Sequence, residues 1–137
     1  MFVLDTNVIS ELRQGKAKQA PAVRAWAARH AAAQLFLSAI TILELEKGVQ
    51  SLERRTPAQG SALRAWLTGV RAAFSGRILP FTEHTATVCA ALHVPRTRSE
   101  RDAMIAATAI EHGFTVVTRN VADFDYPGVQ LINPWQS

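Results

Sequence analysis

A chain of 137 residues with one cysteine is too short for two ordinary domains and cannot form an internal disulfide, yet it can bury about two thirds of its unfolded surface. Apolar residues at 48% and charged residues at 19% exclude a disordered or strongly acidic protein, and no apolar run reaches the roughly 18 residues of a membrane span. Fifteen Lys and Arg against eleven Asp and Glu give +4 and a pI near 10.0, a weak pull toward polyanions such as RNA.

Met1 runs straight into Phe2-Val3-Leu4-Asp5 without the pattern of a secretory signal, so a cytoplasmic location is the expectation. Phe2 to Leu4 reads as a short strand that ends on Asp5-Thr6-Asn7, after which Val8, Ile9 and Leu12 continue at helical spacing. A Gly15-Lys16-Ala17-Lys18 loop follows, then Pro21 opens an alanine-rich helix to about Ala33. Leu35 to Ser38 reads as the second strand. Ile42, Leu45, Val49 and Leu52 mark a helix that Arg54-Arg55-Thr56-Pro57 closes, and a further helix is predicted from Ser61 to Phe74.

Ile78 to Phe81 is a brief strand, Glu83 to Leu92 a helix, and Val94 to Ser99 a loop. Helical spacing resumes at Glu100 and stops at Gly113, where His112-Gly113 fits a cationic last turn followed by a C′ glycine. Phe114 to Thr118 is the clearest strand, and Val129 to Ile132 a shorter one beyond the Pro127-Gly128 turn. Strands alternating with long helices imply an α/β fold, a mainly parallel central sheet with helices on both faces. Such folds place their sites beyond the C-terminal ends of the strands.

Three acids satisfy that rule: Asp5 directly follows the first strand, Glu44 follows Ser38, and Asp123 follows Thr118. Each acid also has a structural explanation. Thr41-x-x-Glu44 and Ser99-x-x-Asp102 fit capping boxes, and Asn120-x-x-Asp123 resembles a helix start. Helical phase leaves Glu44 off the apolar stripe and brings Glu46 nearer to it, so periodicity does not choose between them. Cys89 reads as a small buried hydrophobe. With His93 it makes only two zinc ligands, and the other histidines, His30, His84 and His112, read as helix-end or surface groups. Trp26, Trp66 and Trp135 read as core or interface residues.

Four segments together decide more than any acid alone. Val3-Leu4-Asp5-Thr6-Asn7, Ser38-Ala39-Ile40-Thr41-Ile42-Leu43-Glu44-Leu45, Asp102-Ala103-Met104-Ile105-Ala106-Ala107 and Thr118-Arg119-Asn120-Val121-Ala122-Asp123-Phe124 resemble, in order, the four acidic motifs of PIN domains. The resemblance extends from residue 1 to about residue 134 and is to the VapC and FitB-like toxins of bacterial toxin-antitoxin pairs. It implies one PIN domain over residues 1–137, with a three-layer α/β/α fold. It implies that Asp5, Glu44, Asp102 and Asp123 are catalytic metal ligands, with Asn7, Thr118 and Asn120 as supporting polar groups. Many PIN domains carry an acid where this chain has Asn120, which leaves Asp123 to supply the fourth carboxylate. The resemblance also implies a homodimer and a small VapB-like antitoxin whose C-terminal segment fills the active-site groove.

Converging carboxylates repel one another and call for a cation, and all-oxygen ligands suit Mg²⁺ or Mn²⁺. Such an ion binds a phosphate oxygen, acidifies a water for attack on phosphorus and neutralises the charge that builds there. The resemblance implies a metal-dependent endoribonuclease, and water is the simplest attacking group, since neither a Gly-x-Ser-x-Gly elbow nor a Cys with supporting His and Asn offers another nucleophile. Arg96, Arg98, Arg101 and Arg119 are the candidate RNA contacts. Two rivals stand beside this reading: a catalytically inactive PIN-like RNA- or protein-binding module, and a phosphotransfer domain that forms an aspartyl-phosphate on Asp5.

Overall fold

Successive strand residues face opposite sides of a sheet, so a strand that is apolar throughout must be covered on both faces. Val3 and Leu4 of β1 (Phe2–Leu4) and Val116 and Val117 of β4 (Thr115–Val117) are all fully buried. Val3 and Val116 join one apolar cluster, Leu4 and Val117 another. The computed structural model describes residues 1–15 and 18–136. Its other elements are α1 (Thr6–Glu11), α2 (Pro21–Ala28), β2 (Leu35–Ser38), α3 (Ala39–Arg55), α4 (Pro57–Ala73), β3 (Ile78–Leu79), α5 (Glu83–Leu92), α6 (Glu100–His112) and β5 (Gln130–Ile132).

The five strands pair in parallel in the order β3-β2-β1-β4-β5, with Phe2 opposite both Leu35 and Thr115. One cluster draws Val8, Val23, Trp26, Leu45, Val49 and Leu67 from α1 to α4 onto one face; the other draws Cys89, Ala103, Ile105 and Ala106 from α5 and α6 onto the opposite face. This is the expected three-layer α/β/α arrangement. The chain winds from β1 out to β3, then returns through α5 and α6 to place β4 on the other side of β1. Its winding therefore reverses between β1 and β4, and a crevice opens beyond their C-terminal ends.

Two helices differ from their predicted spans. α2 stops at Ala28 instead of about Ala33, because Trp26 and His30 pack on Phe2, with ring centroids 5.2 and 4.6 Å away, while Ala31, Ala32 and Ala33 are exposed. Alanine propensity without an apolar face to bury does not extend a helix. α4 starts at Pro57, four residues ahead of the predicted Ser61: the proline that ends α3 also serves as the first-turn residue of α4. Lys16 and Ala17 of the predicted loop lie outside the described residues.

The tight junction of α3 and α4 depends on Gly60. A Cβ there would lie 2.4 Å from the Glu53 Cα, closer than any side chain can sit. Arg64 ties the pair further, with Nη1 and Nη2 donating to the Glu46 carboxylate at 2.7 and 2.8 Å and Nε donating to Glu53 at 3.2 Å. Hydrogen bonds from Arg64, then Gln50, pull Glu46 from its ordinary 4.5 to about 2. A carboxylate with a depressed folded pKa stabilises the fold above its unfolded pKa, and that contribution disappears as pH falls through the folded value. Glu46→Gln is therefore expected to flatten the acid limb of a stability profile between pH 4.5 and about 2, as read by denaturant unfolding. Parallel curves for the two proteins would contradict the pairing.

Cys89 is buried and its thiol is pushed up by that burial, as expected of a hydrophobe. His93 Nδ1 accepts the Arg98 backbone N–H at 2.9 Å, which takes one of its two ring nitrogens away from any zinc. Gly113 adopts the left-handed conformation (φ 70°) that ends α6. No helix of the described residues is long and apolar enough to cross a membrane.

Candidate metal centre

Asp5 leaves β1 at the crevice, caps α1 by accepting the Thr6 backbone N–H at 2.7 Å, and is fully buried. A buried carboxylate survives only with its lone pairs occupied. Oδ2 accepts from the Thr118 hydroxyl at 2.8 Å and from Asn7 Nδ2 at 3.3 Å, while Oδ1 accepts from Arg101 Nη2 at 2.9 Å in addition to Thr6. Thr118, directly beyond β4, also accepts the Asn120 backbone N–H at 3.0 Å, and Asn7 Oδ1 accepts that of Arg119 at 3.4 Å. Asn7 and Thr118 thus hydrogen-bond Asp5 through their side chains, whereas Asn120 joins this network through its backbone N–H.

Glu44 reaches the crevice from α3 and Asp102 from the first turn of α6. Neither capping box forms. Ser38, not Thr41, caps α3, accepting the Thr41 N–H at 3.1 Å, and the Ser99 side chain makes no cap to α6. Glu44 is therefore not held by a helix end, whereas Asp102 hydrogen-bonds the side chain of Ser99 at the start of α6. Glu46, the alternative to Glu44, is committed to Arg64 on the α4 side. Glu44 Oε1 instead accepts the Thr6 hydroxyl at 2.9 Å.

The three acids meet at one residue. Arg101 donates from Nε to Glu44 Oε1, from Nη1 to Asp102 Oδ1 and from Nη2 to Asp5 Oδ1. Its guanidinium is a single cation shared by carboxylates from three elements. Burial pushes the Asp102 carboxyl above its ordinary value; Arg101 opposes this, and the charges of Asp5 and Asp123 add to it. A proton held more tightly in the folded chain means that Asp102 lowers stability as pH rises through this window, so its charge needs a cation.

Asp123 stands apart, exposed on a 3₁₀ turn (Val121–Phe124), and its effect on Asp102 is through charge. Among the described residues, no three His, Cys, Asp or Glu side chains are drawn together tightly enough to hold a metal ion. The donor set still fits a hard divalent cation: all-oxygen, anionic, and already converging on one positive group.

Of the candidate RNA contacts, Arg96 is exposed. Arg98 lies 4.4 Å over the Tyr126 ring and Arg119 lies 5.1 Å over that of Trp135, so both are held by aromatic faces beside the crevice. Arg101 is an internal partner of the acids. Sequence reasoning missed that role, as well as Thr6; the only local signal for either was adjacency to Asp102 and Asp5.

The PIN domain family model matches residues 2–126. The chain is 41% identical to VapC ribonuclease Y4jK of Sinorhizobium fredii, the alignment covering 99% of each protein. It is 36% identical to toxin FitB of Neisseria gonorrhoeae, covering 98% of this chain and 99% of that one. The crystal structure of FitAcB from the same organism superposes with a TM-score of 0.89 at 36% identity over 100% of both chains. FitAB bound to a DNA fragment gives a TM-score of 0.86 at 35% identity, covering 98% and 96%. With the motif order, the sheet topology and these matches in agreement, the chain belongs to the PIN domain family.

Proposed function

We propose that the protein is an endoribonuclease dependent on Mg²⁺ or Mn²⁺ and the toxin of a toxin-antitoxin pair. One observation carries this reading: Asp5, Glu44 and Asp102, from three separate elements, converge on a single positive group at the point where the winding of the sheet reverses. Similarity to proteins named VapC ribonuclease and toxin FitB supports it.

Asp5, Glu44 and Asp102 would hold the cation, with Asp123 completing the set through water or a small shift of its turn. A bound divalent ion supplies charge neutralisation at the scissile phosphate and lowers the pKa of an attacking water. Thr118 and Asn7 fix Asp5 from behind, Thr6 aims Glu44, and Arg98 and Arg119 present cations to an RNA backbone at the rim. An aspartyl-phosphate mechanism gains no support, because both Asp5 oxygens are engaged in hydrogen bonds within a fully buried carboxylate.

Purified protein should cut RNA when Mg²⁺ or Mn²⁺ is added and stop when EDTA is added, read on denaturing gels. Undiminished cutting in EDTA would overturn the metal dependence.

The proposed partner is an antitoxin expressed in the same cytoplasm. A cavity of about 340 Å³ lined by Ser10, Arg13, Glu44, Leu45, Leu63 and Trp66 runs from Glu44 between α1, α3 and α4 and offers an apolar seat for a peptide segment. Trp66→Ala is expected to weaken antitoxin binding at least tenfold in a titration, as loss of an aromatic anchor does. Unchanged affinity would place the partner elsewhere.

A further inference from the structure

Arg101 holds the place that a divalent cation would need. It bonds one oxygen of each of three carboxylates, Asp5 Oδ1, Glu44 Oε1 and Asp102 Oδ1. The other Asp5 oxygen is engaged by Thr118 and Asn7, whereas Oδ1 holds the Thr6 backbone N–H at 2.7 Å and Arg101, so Arg101 is the partner that a metal would replace there. Two cations on the same three oxygens would repel at contact distance, and each carboxylate would have to spread around both. The burial of Asp5 means that the cluster cannot stand without a positive partner. The Arg101 side chain is 32% exposed, against 0% for Asp5 and 12% for Asp102, so it has an outward path that these two acids lack.

We propose that Arg101 is a built-in counter-ion that competes with the divalent cation, so that metal binding is an exchange in which the guanidinium leaves the carboxylates. This rests on the metal-dependent reading above. In the metal-free chain Arg101 stabilises the fold and sets a threshold of metal concentration below which the site stays closed. Its three single hydrogen bonds to three different carboxylates, instead of one two-pronged pairing, suit an exchangeable ligand. Each bond can be replaced separately as the oxygens close on a smaller ion.

The test is Mn²⁺ binding by calorimetry to the full chain, to Arg101→Gln, to Arg101→Lys and to Asp5→Asn, with thermal melts in EDTA and in excess Mn²⁺. Arg101→Gln should bind Mn²⁺ at least tenfold more tightly than the unaltered protein, melt lower in EDTA, and gain more from added metal. If it folds only with Mn²⁺, that too supports the exchange. Should it fold under neither condition, Arg101→Lys carries the test: a point charge that cannot span three carboxylates should still bind Mn²⁺ more tightly than arginine does. Equal or weaker Mn²⁺ affinity in a folded Arg101 variant would overturn the competition while leaving the metal reading intact. Absence of binding in all four proteins would instead remove the metal reading itself, and this inference with it.

Discussion

Asp5→Asn is expected to lower the rate of RNA cleavage by about 1,000-fold while leaving a folded protein. Losing an anionic ligand from a metal site removes several kcal/mol of transition-state stabilisation, and about 4 kcal/mol corresponds to three powers of ten. The fold should persist because asparagine matches aspartate in shape and keeps an oxygen for two of the four donors now on Asp5, the Thr6 N–H, the Thr118 hydroxyl, Asn7 and Arg101. Its amide nitrogen would face donors, however, so a modest loss of melting temperature accompanies the change. Single-turnover cleavage beside circular dichroism separates the two effects. A rate within tenfold of the unaltered protein would remove Asp5 from the centre of the chemistry.

The second large effect concerns stability. Phe124 is among the largest fully buried side chains in the protein and sits at the end of the 3₁₀ turn that carries Asp123. It joins Val3, Val116, Ala103 and Tyr126 in the cluster under α5 and α6, so its ring fixes the turn to the sheet. Phe124→Ala should cost about 3–5 kcal/mol in denaturant unfolding, a large fraction of the stability of a small domain. Because Asp123 is the one site acid held by an exposed turn instead of by Arg101, cleavage should fall as well under conditions where the variant is still folded. A cost below about 1 kcal/mol would mean that the turn is anchored by other contacts.

Most of the fold can be read locally. Phe2 to Leu4, Leu35 to Ser38 and Glu83 to Leu92 occupy their predicted spans because each element's apolar period and its boundary residues agree. The alanines after Ala28 predict a longer α2 than forms, because alanine favours a helix without saying whether there is a surface to bury. Pro57 is both the stop of α3 and the first residue of α4, and the sequence pattern signals only the first of these roles.

The site divides in the same way. Asp5 follows from strand topology alone. Choosing Glu44 over Glu46 needed the family motif, since only the fold shows that Glu46 faces Arg64 across the α3–α4 junction. Arg101 joins residues 57 and 96 positions away in the chain, Glu44 and Asp5, so neither periodicity nor spacing could assign it to the acids instead of to an RNA surface. Thr6 likewise bonds Glu44 across 38 positions. Long-range side-chain pairing is a property of the packed chain.

RNA offers its own nucleophile, the 2′-hydroxyl, and that gives the account its most direct test. If these carboxylates hold a cation that acidifies water, the oxygen added to phosphorus comes from solvent. Cleavage of a defined RNA in Mg²⁺ and ¹⁸O-labelled water, followed by mass spectrometry of the new ends, should show one heavy oxygen in the terminal phosphate and no 2′,3′-cyclic phosphate. Cyclic phosphate ends formed without heavy oxygen, at a rate indifferent to Mg²⁺, would contradict it.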